Sequence, residues 1–210
     1  MTSSTPSMDR FDDAYRSGTP PWVIGEPQPA IVELEANGLI RGKVLDAGCG
    51  AGEHTILLTQ LGYDVVGVDF APNAVERARE NAAAKGVDAR FEVADAMNLG
   101  TALKYDTVLD SALFHVFDEA DRTRYVANLL GATESGALVH VLALSDAGRG
   151  FGPQVSESDV RTAFGTGWEL EALDAVTYRG VVTDAQVDAI GLAVGTRVDE
   201  PAWRVRARRL

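Results

Sequence analysis

Three glycines at alternate positions, Gly48, Gly50 and Gly52, follow an acid, Asp46, at the end of the apolar run that begins at Val44. Beyond them Glu53-His54-Thr55-Ile56-Leu57-Leu58 has the make-up of a helix. The pattern predicts a strand, a tight turn and a helix start. Glycine allows torsions that a Cβ forbids and lets a ligand approach the main chain closely. The first N–H groups of the helix lack intrahelical partners and face whatever anion sits there. A dinucleotide site would place a third glycine at position 53, where this chain has Glu53. A phosphate-binding loop would need Gly-Lys-Ser/Thr, which is absent. The ligand anion is then small, such as a carboxylate, and Asp46 suits a cationic neighbour of it. A methionine moiety satisfies both demands.

The stretch Val44 to Gly52 resembles the first motif of the class I S-adenosylmethionine-dependent methyltransferases. Two further acids follow at strand ends. Asp69 closes the second strand, where a carboxylate can accept both ribose hydroxyls. Asp95 ends the third, and by the resemblance it takes the adenine amino group with Phe70 and Ala96 flanking the ring. Ser111 is assigned to the cofactor with them. In Asp110-Ser111-Ala112-Leu113-Phe114-His115 the donor should meet its acceptor. The Asp/Asn-Pro-Pro-aromatic turn of enzymes that methylate nucleic-acid amino groups is missing there, which favours a small-molecule acceptor.

His115 is the expected base, removing a proton from an acceptor hydroxyl or ring N–H, with Asp118 orienting it. A reference pKa of about 6.5 suits the task. A positioned base contributes roughly 10²–10⁴-fold, and alignment of the reacting atoms about 7–11 kcal/mol, so His115→Ala should cripple turnover without abolishing it. His54 either packs or donates to the cofactor carboxylate, and His140 is structural. The proline-rich arm Pro20-Pro21-Trp22-Val23-Ile24-Gly25-Glu26-Pro27-Gln28-Pro29 is similar to that of the thiopurine- and tellurite-resistance-type enzymes. Together with Asp110–His115 it resembles the mycobacterial heterocyclic toxin methyltransferases, which act on quinolones and hydroxyquinolines. The resemblance implies that Trp22 and Gln28 contact cofactor and that Tyr15 borders a small aromatic acceptor. The cofactor it implies is S-adenosyl-L-methionine, whose sulfonium is already activated, so no metal is expected.

These residues need a scaffold that brings strand ends together. Strands and helices alternate, predicting a doubly wound seven-stranded, mainly parallel α/β sheet in a single domain. Expected helices are Phe11–Arg16, Pro29–Asn37, Glu53–Leu61, Pro72–Lys85, Glu119–Leu130, one opened by the capping box at Ser156 and running to Phe164, and Asp184–Val194. Ala71 precedes Pro72 where a capping side chain is preferred, a deficit of roughly 0.5–2 kcal/mol. Strands are expected at Val44–Asp46, Asp64–Asp69, Ala89–Ala94, Tyr105–Asp110, Ala137–Leu144, Trp168–Tyr178 and Pro201–Arg209. Residues 1–42 form an arm and helices covering the site, 43–145 the cofactor core, and 146–210 complete sheet and acceptor pocket.

The chain has 210 residues, one cysteine and a net charge of -12. That field repels phosphate backbones, so nucleic acid is not an expected partner. Arg204 to Arg209 alternates with apolar residues and reads as a strand face. No apolar run reaches spanning length and Met1–Met8 is polar, so no membrane and a cytoplasmic monomer or homodimer are expected. A non-catalytic cofactor-binding module and an NAD(P)-dependent oxidoreductase remain alternatives, the latter disfavoured by Glu53. Within the transferase reading, thiols and oxyanions such as tellurite remain possible acceptors.

Overall fold

A computed structural model describes residues 5–102 and 104–210. The chain alternates strand and helix from Lys43 onward: β1 (Lys43–Ala47), β2 (Asp64–Asp69), β3 (Arg90–Val93), β4 (Tyr105–Ser111), β5 (Thr133–Leu144), β6 (Trp168–Val181) and β7 (Arg197–Arg209). They form one sheet in the order β3-β2-β1-β4-β5-β7-β6. β1 to β5 pair in parallel, whereas β7 runs antiparallel to both β5 and β6. The sheet is therefore mixed, its second edge a long antiparallel hairpin. Strand order reverses between β1 and β4, and ligands of such sheets lie outside the carboxyl ends at that point.

Both faces are covered, which is why β5 reads as a continuous apolar run. Leu45, Val66, Val108 and Val139 point to one side, where they pack with α5 (Glu119–Ala132) and α6 (Glu157–Ala163). Val44, Val65, Leu109 and Leu142 point to the other, against α2 (Pro29–Ala36) and Leu58 of α3 (Glu53–Gln60). Ile56, Val75, Ala78 and Ala82 join α3 to α4 (Pro72–Ala84) around Phe91. The Ser156 capping box forms with Asp159. The expected helix at Asp184–Val194 shrinks to a 3-10 turn, Asp184–Gln186, and one α turn, Val187–Ile190, stopped by left-handed Gly191. From Met8 the chain is helical, α1 (Met8–Ser17).

α1 also supplies what α4 lacks. Ala71 makes no side-chain cap, but Asp12 reaches across: one oxygen accepts from the Asn73 N–H at 2.9 Å, the other from its side-chain amide at 2.7 Å. The first N–H groups of a helix need such acceptors. The capping deficit of the isolated segment thus becomes the clasp that docks the N-terminal helix. The arm is held at its other end by Val181, whose N–H donates to Pro21 O at 2.8 Å. Three arginines of β7 pair with acids of β6 and α2, Arg204 with Glu33 and Arg206 and Arg208 with Glu171. Among the described residues no helix is long and apolar enough to cross a membrane.

Candidate active site

The carboxyl ends of β1, β2 and β4 and the segments that cover them enclose a cavity of about 680 Å³. Small-molecule sites run to roughly 300–1,000 Å³. Gly48 (φ 70°) and Gly50 (φ 54°) are left-handed and form its wall. A Cβ at Gly50 would lie 2.6 Å from the Tyr15 hydroxyl, and one at Gly48 3.1 Å from Leu113. Gly52 (φ 86°) differs. A Cβ there would meet Phe91 at 2.8 Å and Ala78 at 2.9 Å, so the third glycine seats α3 on β3 and α4 and faces no ligand. The N–H groups of Gly48 and Cys49 donate to Val68 O, each at 2.9 Å, and that of Gly50 to Asp69 at 3.0 Å. These residues therefore offer a ligand closeness, not spare donors.

Asp69 lies on the cavity and holds this turn in shape. One oxygen takes the Gly50 N–H, the other the Ala71 N–H at 2.9 Å. Each carboxylate oxygen keeps a second lone pair for a hydroxyl. Asp46, expected beside a cationic ligand group, is instead 1% exposed and stands behind the turn. It accepts from Thr55 Oγ1 at 2.6 Å, its other oxygen has no partner, and burial raises its pKa to about 6. Asp95 reaches the cavity as expected, but its carboxylate opens a short 3-10 helix by accepting from the Met97 N–H at 2.8 Å. Phe70, Ala96 and Ser111 line the same space.

The N-terminal arm closes it. Trp22 Nε1–H donates to the Tyr15 hydroxyl at 2.8 Å, and Phe11 packs against both Trp22 and Phe70 at ring separations of 5.9 and 5.7 Å. Trp22 and Tyr15 both line the cavity. Gln28 also borders it, but its amide is engaged with β6: it donates to Arg179 O at 2.8 Å and accepts from Arg179 N–H at 2.9 Å. Its role is to fasten the arm to β6. His54 is likewise diverted, its Nε2 accepting from the Gln28 N–H at 3.1 Å, so that nitrogen cannot donate to a carboxylate. Burial holds its pKa at about 4.

Two assignments around His115 change. Asp118 does not orient it, because its carboxylate accepts from the Asp121 N–H at 2.9 Å and caps α5. His115 Nδ1 instead accepts from the Leu144 N–H at 3.0 Å. A backbone N–H only donates, so Nδ1 holds a lone pair and the neutral ring carries its proton on Nε2. Desolvation lowers the ring pKa to about 4. His115 thus presents a donor where a base was expected. Asp110 fixes its segment by accepting from the N–H groups of Leu113 at 3.0 Å and Phe114 at 3.1 Å, with Ala112 left-handed (φ 76°) between. Sequence reasoning missed Glu53, Phe151 and Tyr178, which also line the cavity. Nothing local flags Phe151 or Tyr178: Phe151 comes from the segment between β5 and α6 and Tyr178 from β6, both distant in sequence from the glycine turn.

Residues 44–136 match a family model described as a methyltransferase domain. The 2-heptyl-1-hydroxyquinolin-4(1H)-one methyltransferase of Mycobacteroides abscessus is 35% identical over 179 residues, covering 78% of each chain. A probable thiol methyltransferase of Arabidopsis thaliana is 29% identical over 119 residues, and the match spans 55% of this chain and 53% of that protein. A structure solved in work on the conversion of a disulfide bond into a thioacetal group during echinomycin biosynthesis superimposes with a TM-score of 0.86. It is 38% identical, and the match covers 96% of this chain and 91% of that one. Nearly the whole fold is shared with that structure, and the glycine turn and its acid open the residues that the family model matches. The chain belongs to the S-adenosylmethionine-dependent methyltransferases.

Proposed function

We propose that this enzyme methylates an oxygen or ring nitrogen of a small aromatic heterocycle of the quinolone or hydroxyquinoline type, a detoxification-type reaction. The observation that carries this is that one cavity is lined both by the glycine turn and Ser111 and by the apolar or aromatic side chains of Leu113, Phe117, Leu144, Phe151 and Tyr178, which suits a flat apolar ring. The named activity of the Mycobacteroides abscessus relative supports the same class.

The bound cofactor supplies a methyl carbon made electrophilic by its positive sulfur. The chain's residues do the rest. Gly48 and Gly50 let the headgroup lie against the main chain, while Asp69 offers its remaining lone pairs to the ribose. Glu53 Oε1 is buried without a partner at the first residue of α3, as a carboxylate awaiting a cation would be. Tyr15, Trp22 and Phe11 shut the arm over the site and keep water out.

A mass-shift screen with isotopically labelled S-adenosylmethionine tests the reading. Hydroxyquinolines, 1-hydroxyquinolin-4(1H)-one, quinolones, flavonols, thiols and tellurite form the panel. Labelled product from the heterocycles supports it, and transfer confined to thiols or tellurite refutes it. A sulfur acceptor is the second reading, favoured by the thiol methyltransferase match and by the sulfur chemistry named for the echinomycin-related structure.

A further inference from the structure

We propose that the acceptor reacts as an anion, an oxyanion or thiolate already ionised at the working pH, held by the Nε2–H of His115, and that no side chain among the described residues acts as its base. The inference rests on the methyl-transfer reading above and names the acceptor class for that site.

A free donor and the absence of an available base among the described residues carry it. His115 borders the cavity, Nδ1 is engaged by Leu144 N–H, and Nε2–H has no partner among the described residues. Tyr15 borders it too, 4% exposed, and its oxygen accepts from Trp22 Nε1–H, but that hydroxyl stands against Gly50 on the cofactor's side. Burial and the nearby Asp69 and Glu53 carboxylates push the Tyr15 pKa up, which keeps its hydrogen in place. Neither group takes a proton at neutral pH.

The other titratable groups facing the cavity are engaged or unsuited. Asp69 braces the glycine turn and Asp95 caps Met97. Glu26 pairs with Arg197 at 2.5 Å and Asp121 with Arg124 at 3.0 Å. Burial raises the Cys49 and Tyr178 pKa values, so both stay protonated. Of the described carboxylates lining the cavity, only Glu53 keeps an unpartnered buried oxygen, and it stands directly after the glycine turn.

The chemistry balances without a proton acceptor. A lone pair of the anion forms the bond to the methyl carbon, and the carbon–sulfur pair returns to sulfur. Negative and positive charges cancel and no proton moves. A water-poor cavity favours such cancellation because opposite charges attract more strongly there. A neutral hydroxyl would leave a protonated product with nowhere nearby to release its proton.

The test is an absorbance titration of 1-hydroxyquinolin-4(1H)-one bound to the enzyme saturated with S-adenosylhomocysteine. The expected result is binding as the anion, with the ionisation equilibrium shifted at least tenfold toward it relative to free solution. His115→Gln, which keeps an N–H in place of Nε2, should retain most of the shift, and His115→Phe should lose it. The wild-type titration stands whether or not either variant folds. Binding as the neutral form overturns the proposal. So does a Glu53→Gln variant that still binds S-adenosylhomocysteine but no longer ionises the acceptor, since Glu53 would then be the base. Faster methylation of a neutral disulfide than of any acidic hydroxyl or thiol also overturns it. If S-adenosylhomocysteine does not bind at all, the methyl-transfer reading itself fails, and that is seen before acceptor is added.

Discussion

Around the glycine turn most polar groups are already bonded to the protein, whereas His115 presents a donor to the cavity with no partner among the described residues. Asp69 shows the first arrangement: both its oxygens hold backbone N–H groups of the turns they shape. His115 shows the second, with Nδ1 engaged by the protein and the Nε2–H left over. The first is pre-formed and rigid, fit for a constant cofactor. The second is defined by what it donates, and it selects an acceptor by charge.

The sharpest way to break this contrast is to alter two glycines that lie two residues apart. Gly50→Ala puts a methyl 2.6 Å from the Tyr15 hydroxyl at a left-handed φ of 54°. Calorimetry should show S-adenosylhomocysteine affinity falling by about 100-fold or more, from the interference with ligand and arm together. Gly52→Ala should do the reverse, costing about 1–3 kcal/mol of stability by crowding Phe91 and Ala78 while leaving affinity within about tenfold. Equal effects of the two on affinity would erase the distinction.

Next in size is the pH dependence of Asp110, whose pKa burial raises to about 7. In the unfolded chain it titrates near 3.9. The buried charge therefore costs stability fully above about pH 7, and the cost is relieved as pH falls from 7 toward 4. Asp110→Asn keeps a carbonyl for the Leu113 and Phe114 N–H groups and removes the charge. Its stability should exceed wild type by up to about 4 kcal/mol in urea unfolding above pH 7, with the gain vanishing below pH 4. A gain independent of pH would rule out the charge as its cause.

Two smaller effects sharpen the picture of the cover and the ring. Asp12→Ala removes the clasp on Asn73 and should cost about 1 kcal/mol, seen as a lower melting temperature and faster release of S-adenosylhomocysteine. An NMR titration of His115 should find its ring neutral down to about pH 5, given a pKa near 4. A midpoint near 6.5 would restore the ring to the role of base.

The legible parts of this molecule were those set by local rules. Alternating strands and helices, the glycine turn, the acid ending β2 and the Ser156 capping box all follow from backbone torsion, capping chemistry and periodicity over a few residues. The site residues that shifted role did so through partners distant in sequence. Gln28 is claimed by Arg179, His54 by the Gln28 backbone, and His115 by Leu144, and no spacing within the arm or the β4 turn announces those bonds. Asp118 was expected to orient His115, and the N–H of Asp121 at the start of α5 claimed its carboxylate instead. Asp46 was judged by its nearness to the glycines, while the strand's pleat turned it away from the cavity. Tyr178 enters the site from β6 of the long hairpin, and Phe151 from the loop after β5, both far in sequence from the turn they face.

The most direct test of the whole account is a crystal structure with S-adenosylhomocysteine bound. The amino-acid headgroup is expected against Gly48 and Gly50, with Asp69 accepting from the ribose hydroxyls and Tyr15 and Trp22 closed over the ligand. A ligand seated elsewhere, or an Asp69 turned away from the sugar, would contradict it.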